Sequence, residues 1–270
     1  LNKEFGTALI VKYDNSGNVE WKNTLGGNGS YHFNSVTATT DGFIAAGNLN
    51  DQAGIVKYDI NGNEIWKKTF GGSQLDFYQS IIATSDGFAA VGATSSDDGD
   101  VTDLHKGGND AIIVSYDHDG NIKWKKLFGG RMSEAFNSII PADDGYLVAG
   151  YSSSKDGDLK GSTIDSIDAI IVKYDHNGNI EWKRNFGGKE SDRFNSVSQM
   201  DDGYVAVGYS FSNDRDLANL NSGGQDAMMV KFDHHGNVIW KKTIGGGHYN
   251  EFASVVENKN GIVAVGYSDA

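Results

Sequence analysis

Between Ile171 and Gly188 the chain reads IVKYDHNGNIEWKRNFGG, and from Ile10 it reads IVKYDNSGNVEWKNTLGG. Each phrase begins with an apolar run, turns through Asp-x-x-Gly-Asn and passes along a Trp-Lys segment into Gly-Gly. Trp21, Trp66, Trp124, Trp182 and Trp240 mark five copies, at spacings of 45, 58, 58 and 58 residues. After each Gly-Gly comes a Phe/Tyr-x-Ser phrase: Phe33 to Ser35, Tyr78 to Ser80, Phe136 to Ser138, Phe194 to Ser196 and Phe252 to Ser254. A turn such as Asp41-Gly42 or Asn260-Gly261 and a run such as YVAVGYS at 204–210 complete the unit.

No copy carries an apolar 3.6-residue period long enough for a helix, whereas each offers four short runs of β-branched or aromatic residues between glycine turns. We label these strand A (Phe-x-Ser), B (the VAVGY run), C (the IIVKYD run) and D (the Gly-Asn-x-x-Trp run). The pattern predicts an all-β, five-bladed β-propeller with four antiparallel strands per blade, in one domain of residues 1–270. The copies run approximately 7–52, 53–109, 110–167, 168–225 and 226–270. Because the chain opens in strand C (Ala8 to Asp14) and ends in strand B (Ile262 to Ser268), the terminal half-copies are expected to pair and close the ring.

Composition narrows the functional classes. Hydrophobic residues make up 38% and charged residues 22%, with 36 glycines, which places the chain among globular proteins. The net charge of −13 opposes nucleic-acid phosphates and anionic lipid heads. The absence of cysteine excludes disulfides, thiolate zinc sites and thiol catalysis. No apolar stretch reaches the roughly 18–20 residues of a spanning helix, so membrane insertion is not expected. An opening at Leu1 without a basic and apolar leader reads as a mature or excised segment. Gly-x-Ser-x-Gly, HExxH and Walker phosphate motifs are all lacking, and the glycine runs at 26–29 and 245–247 join strands instead of opening helices.

From Asp168-Ala169 to Gly188 the chain follows D-A-x-x-V-K-x-D-x-x-G-N-x-x-W-x-x-x-x-G-G, and residues 152–161 read SSSKDGDLKG. In these phrases it resembles the bacterial β-propeller repeat of secreted and surface proteins (SBBP-like repeats). The resemblance covers almost the whole chain and implies the propeller fold and an extracellular or cell-surface setting, without a particular activity. The first copy departs from it in having only a short connection, Asn48 to Gln52, where the others carry a long B–C loop.

His118, His176 and His234 recur at one repeat position, but each falls in a C–D turn of its own blade, so they read as turn residues and not as a metal triad. Three long B–C loops carry Asp98 and Asp100, Asp156 and Asp158, and Asp214 and Asp216. Carboxylates two apart around a turn are candidate oxygen ligands for Ca²⁺, and equally good turn formers. Asp76, Glu134 and Asp192, each four residues before its strand A serine, and Glu251 are candidate tunnel-mouth acids for a glycoside hydrolase or lyase. The competing reading has the acids cap N–H groups of their own Gly-Gly loops. Ser35, Ser80, Gln79, Asn137 and Asn195 are expected to line a water-filled channel.

The copy-specific residues Tyr31, His32, Phe77, Arg193, His248 and Tyr249 fall on the D–A loops, where aromatic faces stack on sugars and polar groups bond hydroxyls. The favoured function is therefore a non-enzymatic binding or adhesion module for a glycan, a surface polymer or another extracellular protein. A hydrolase and a structural spacer are the alternatives.

Overall fold

The computed structural model describes residues 6–258 and 260–269. Twenty strands follow one another in chain order. The first pair is β1 (Ala8–Tyr13) and β2 (Val19–Leu25). Four complete sheets follow: β3 (Tyr31–Thr39), β4 (Gly42–Leu49), β5 (Gln52–Asp59) and β6 (Glu64–Phe70); β7 (Asp76–Thr84), β8 (Gly87–Thr94), β9 (Asp110–Tyr116) and β10 (Ile122–Phe128); β11 (Glu134–Ala142), β12 (Gly145–Ser152), β13 (Asp168–Asp175) and β14 (Ile180–Phe186); and β15 (Asp192–Met200), β16 (Gly203–Ser210), β17 (Asp226–Phe232) and β18 (Val238–Ile244). The last pair is β19 (Asn250–Asn258) and β20 (Gly261–Ser268). Each complete sheet is an antiparallel meander in the order A-B-C-D, the arrangement of a propeller blade.

The ring closure expected from the half-copies is not among the strand pairings of the described residues. β1 bonds only to β2 and β20 only to β19, each pair forming a two-stranded sheet. β20 therefore keeps a free edge where the B strands of the complete sheets have a C strand.

Contacts cluster the chain into two compact units, one of residues up to His105 with Ala111–Leu127, the other of Lys106–Asp110 with the chain from Phe128 onward. The first buries Ile44, Ile55, Phe70, Tyr78, Phe88 and Tyr116 together. In the second, Leu147, Ile171, Phe186, Phe194, Met228 and Phe232 form the equivalent core. Strands B and C supply most of both cores, which form where successive sheets of one unit pack face to face.

The hairpins follow directly from the repeat. In the β13–β14 turn the Asp175 carboxylate accepts the N–H groups of Asn177 and Asn179 at 2.8 Å, while the Asn179 amide donates to its second oxygen at 2.8 Å. Asp14, Asp59, Asp117 and Asp233 build the same cage. The asparagine amide, followed by the backbone donors, holds each of these carboxyls below its ordinary range. The turn glycine has a second duty: at Gly236, φ is +76° and a Cβ would meet the Trp182 ring at 2.7 Å. The Trp182 indole lies against this turn and donates to the His234 carbonyl at 3.1 Å.

A bulge in each strand A, between residues such as Phe136 and Ser138, turns one side chain toward the neighbouring sheet. There the amides of Asn34, Asn137 and Asn195 donate to the carbonyls of Tyr78, Phe194 and Phe252, each at 2.8 Å. Ser35 and Ser138 accept the N–H groups of Ile81 and Val197. Ser35, Asn137 and Asn195, three of the expected channel-lining residues, thus join successive A strands, because strand backbones that approach at the bulge leave donors and acceptors that need partners.

A lysine on strand C reaches the A–B turn of its own sheet in three copies: Lys57 to Asp41 at 2.8 Å, Lys173 to Asp144, and Lys231 to Asp202 at 2.7 Å. The second complete sheet has Ser115 at this position, and Lys123 of strand D supplies the ammonium to Asp86.

Candidate functional site

The long B–C loops each contain a short 3-10 turn, at Gly99–Val101, Gly157–Leu159 and Arg215–Leu217, which follows the first loop aspartate and buries its last residue in the core. The loop carboxylates reach back to the D–A connection entering the same sheet. Asp98 accepts the Ser73 N–H at 2.7 Å and Asp100 that of Gly71 at 3.2 Å. Asp156 and Asp158 bind the N–H groups of Arg131 and Gly129, both at 2.9 Å. Asp214 and Asp216 bind those of Lys189 and Gly187 at 2.9 and 3.2 Å. The six candidate Ca²⁺ ligands thus act as clamps between two loops, and among the described residues no three acids or imidazoles converge in a way that suits a metal ion.

Asp76, Glu134 and Asp192 are fully buried. Asp76 accepts the Gly72 N–H and the Ser96 hydroxyl, both at 2.9 Å. Glu134 accepts the Gly130 N–H at 2.9 Å and the Ser152 hydroxyl at 2.7 Å. Asp192 accepts the Gly188 N–H and the Ser212 hydroxyl, both at 2.8 Å. Each caps its own Gly-Gly loop, and none presents an oxygen to solvent as a hydrolase acid must. Glu251 alone of the four is partly exposed.

Three carboxylates, Asp168, Asp192 and Asp216, surround Gly187, as Asp110, Glu134 and Asp158 surround Gly129. Burial, aided by the nearby charges of Asp192 and Asp216 and opposed by the Asn185 amide, pushes the Asp168 carboxyl up to about 6. Burial raises Asp192 as well, against the hydrogen bonds it accepts.

The six predicted ligand contacts separate. Tyr31 packs against the Leu49, Val56 and Tyr58 cluster and is a core residue of the first unit. Phe77 is half-buried opposite Ala93, and His32 stands exposed opposite Asn48. His248 is exposed on its loop. Arg193 and Tyr249, by contrast, belong to one ledge of the second unit, at the loop end of its sheets. The Arg193 guanidinium lies 4.0 Å from the Tyr151 ring centroid. Its direct cross-strand partner is Tyr209. Tyr209 stands edge-on to Phe211 at 6.0 Å, and Phe211 to Tyr249 at 6.3 Å. Burial, partly offset by Arg193, raises the Tyr209 phenol, so it remains a neutral donor.

Tyr151, Tyr209 and Phe211 are the members that sequence reasoning missed. Their signal is visible in retrospect: the position after the strand B glycine is Asn48 and Ala93 in the first two complete sheets but Tyr151, Tyr209 and Tyr267 afterwards.

At the opposite, turn end of the second unit a cleft of about 490 Å³ is lined by Asp143, Asp144, Lys173, Glu181, Trp182, Tyr204 and the paired His234 and His235. Its buried lysine is already matched by Asp144 and Glu181.

Sheet order and ledge together define a repeat protein of propeller-type blades carrying an aromatic and arginine surface. No family model matches the chain. Over 158 residues, 54% of this chain, it is 25% identical to the regulatory protein FlaEY of Caulobacter vibrioides, and it spans 17% of that protein's length. Among solved structures it is similar to a protein of unknown function from Bacteroides caccae, at 15% identity and a TM-score of 0.36 over 88% of this chain and 94% of that one. It is also similar to the apocarotenoid oxygenase of Synechocystis, at 10% identity and a TM-score of 0.40 over 92% and 52%, and to the WD40 β-propeller domain of Doa1, at 14% and 0.28 over 87% and 88%.

Proposed function

We propose that the chain is a non-enzymatic binding module that recognises a glycan on the ledge of Tyr151, Arg193, Tyr209, Phe211 and Tyr249. The observation that carries the reading is the run of partly exposed aromatic rings interrupted by one arginine, at the loop end of sheets whose acids are engaged in holding loops together. Aromatic faces offer sugar C–H groups a flat apolar contact, and phenol and guanidinium donors bind ring hydroxyls. The setting implied by the repeat resemblance, outside the bacterial cell, and a five-bladed ring closed by β1 on β20 belong to the same proposal.

Isothermal titration of the intact chain against neutral and acidic plant and bacterial oligosaccharides tests it. Binding to at least one sugar, lost in the double variant Tyr209→Ala, Phe211→Ala with an unchanged melting temperature, is expected. Absence of binding to every sugar refutes the reading.

A further inference from the structure

The sequence contains four arginines. Three have protein partners. Arg131 pairs with Asp156 at 3.2 Å. Arg184 donates to the Lys183, His235 and Gly236 carbonyls. Arg215 joins Thr163, Gly188 and Asp165. Arg193 is different: its Nε is buried and has no hydrogen-bond partner, and no ion pair reaches its guanidinium among the described residues. The ring of Tyr151 covers one of its faces and holds the fork in place. Nε itself is out of a ligand's reach, so a ligand meets the two terminal nitrogens, and the acceptor that suits their planar, parallel N–H groups is a carboxylate.

We infer that Arg193 is a carboxylate-binding subsite, and that the ledge takes a saccharide bearing a single uronic acid. This rests on the glycan reading and makes it specific. The uronate carboxylate sits on the guanidinium while the attached sugar ring lies along Tyr209 and Phe211. A neutral sugar offers the terminal nitrogens only uncharged acceptors. A polyanion is disfavoured for another reason: the chain's net charge of −13 repels it beyond the ledge, whereas one carboxylate at contact distance answers chiefly to Arg193.

The test uses titration of the full chain with a xylo-oligosaccharide carrying one glucuronic acid, the same backbone without it, and the methyl ester of the acid. The free acid is expected to bind roughly tenfold or more tightly than the other two, a difference of the size a charge-assisted bidentate bond supplies. Arg193→Ala should erase that preference while leaving the weak affinity for the neutral backbone. Arg193→Lys, which keeps the charge and loses the fork, should recover only part of it. Equal binding of acid, ester and neutral backbone, or a preference that survives Arg193→Ala in a protein with wild-type melting, overturns the subsite and leaves the glycan reading standing. Binding of none of the three sugars overturns the subsite, and only the wider titration decides the glycan reading.

Discussion

β16 reads GYVAVGYS and β20 reads GIVAVGYS, yet the two strands sit in opposite environments. In β16 all but Tyr209 are buried. In β20 no residue is, and Val265 is 59% exposed where its counterpart Val207 is 0%. One substitution does not account for this. β16 has β15 on one edge and β17 on the other, while β20 has only β19. Burial here is a property of the neighbours that a strand acquires, and the same residues make a core in one copy and a surface in the next.

The largest effect expected from this contrast is a pair of matched substitutions. Val207→Asp places a charge without a partner in a dry core and should cost several kcal/mol, enough to abolish cooperative urea unfolding of the second unit. Val265→Asp should change stability by less than about 1 kcal/mol while that edge of β20 stays free, and by as much as Val207→Asp where β1 closes the proposed ring on it. If the two cost the same, a C-type strand covers β20 in solution, as ring closure requires.

The loops entering the two sheets differ in the same direction. At Gly187 the chain gathers Asp168, Asp192 and Asp216, whereas at Gly245 the corresponding strand A position is Asn250, which accepts the Ser268 hydroxyl at 2.6 Å. Asp168 has its folded-state pKa raised from 3.8 to about 6. Between those values the folded state holds more protons than the unfolded one, so this group's contribution falls as pH rises through the window and is lost above about 6. Asp168→Asn should therefore be more favourable at pH 7 than at pH 4 by about 1–2 kcal/mol relative to the wild type, measured by urea unfolding. Asp192→Asn, which makes this loop resemble its successor, should lower the Asp168 titration midpoint followed by carboxyl NMR. An unchanged midpoint would remove Asp192 as a cause and leave burial and Asp216.

The smallest effect is expected at the A–B turns. The last copy has Asn260 where the sheet before it has Asp202. Asp202→Asn takes the exposed carboxylate partner from the largely buried Lys231 and should lower the melting temperature slightly, less in high salt.

Strand order and turn chemistry were legible in the sequence because both depend on residues close together in the chain. Asp175 and Asn179 form their cage within five residues, and every copy repeats the spacing. The loop acids were legible as turn formers, but their clamping partners lie 25–29 residues away, as for Asp98 with Ser73 and Asp100 with Gly71. Arg193 and Tyr249 stood out as copy-specific residues. Tyr151 did not, since it reaches Arg193 only when two sheets pack. The cross-sheet bonds of Asn137 and Asn195 were not legible for a similar reason: their acceptor carbonyls belong to the adjoining sheet, 57 residues away.

The exchange of Ser115 and Lys123 for the usual strand C lysine bears on how such a chain is rearranged. Whole four-stranded sheets carry their own counter-charge for the A–B turn and are interchangeable in that respect. Single strands are not: a β9 taken from another copy would bring a second ammonium to Asp86, and a β10 taken from another copy would leave that carboxylate with none. Recombination in this repeat is thus constrained to breakpoints that keep strands C and D together.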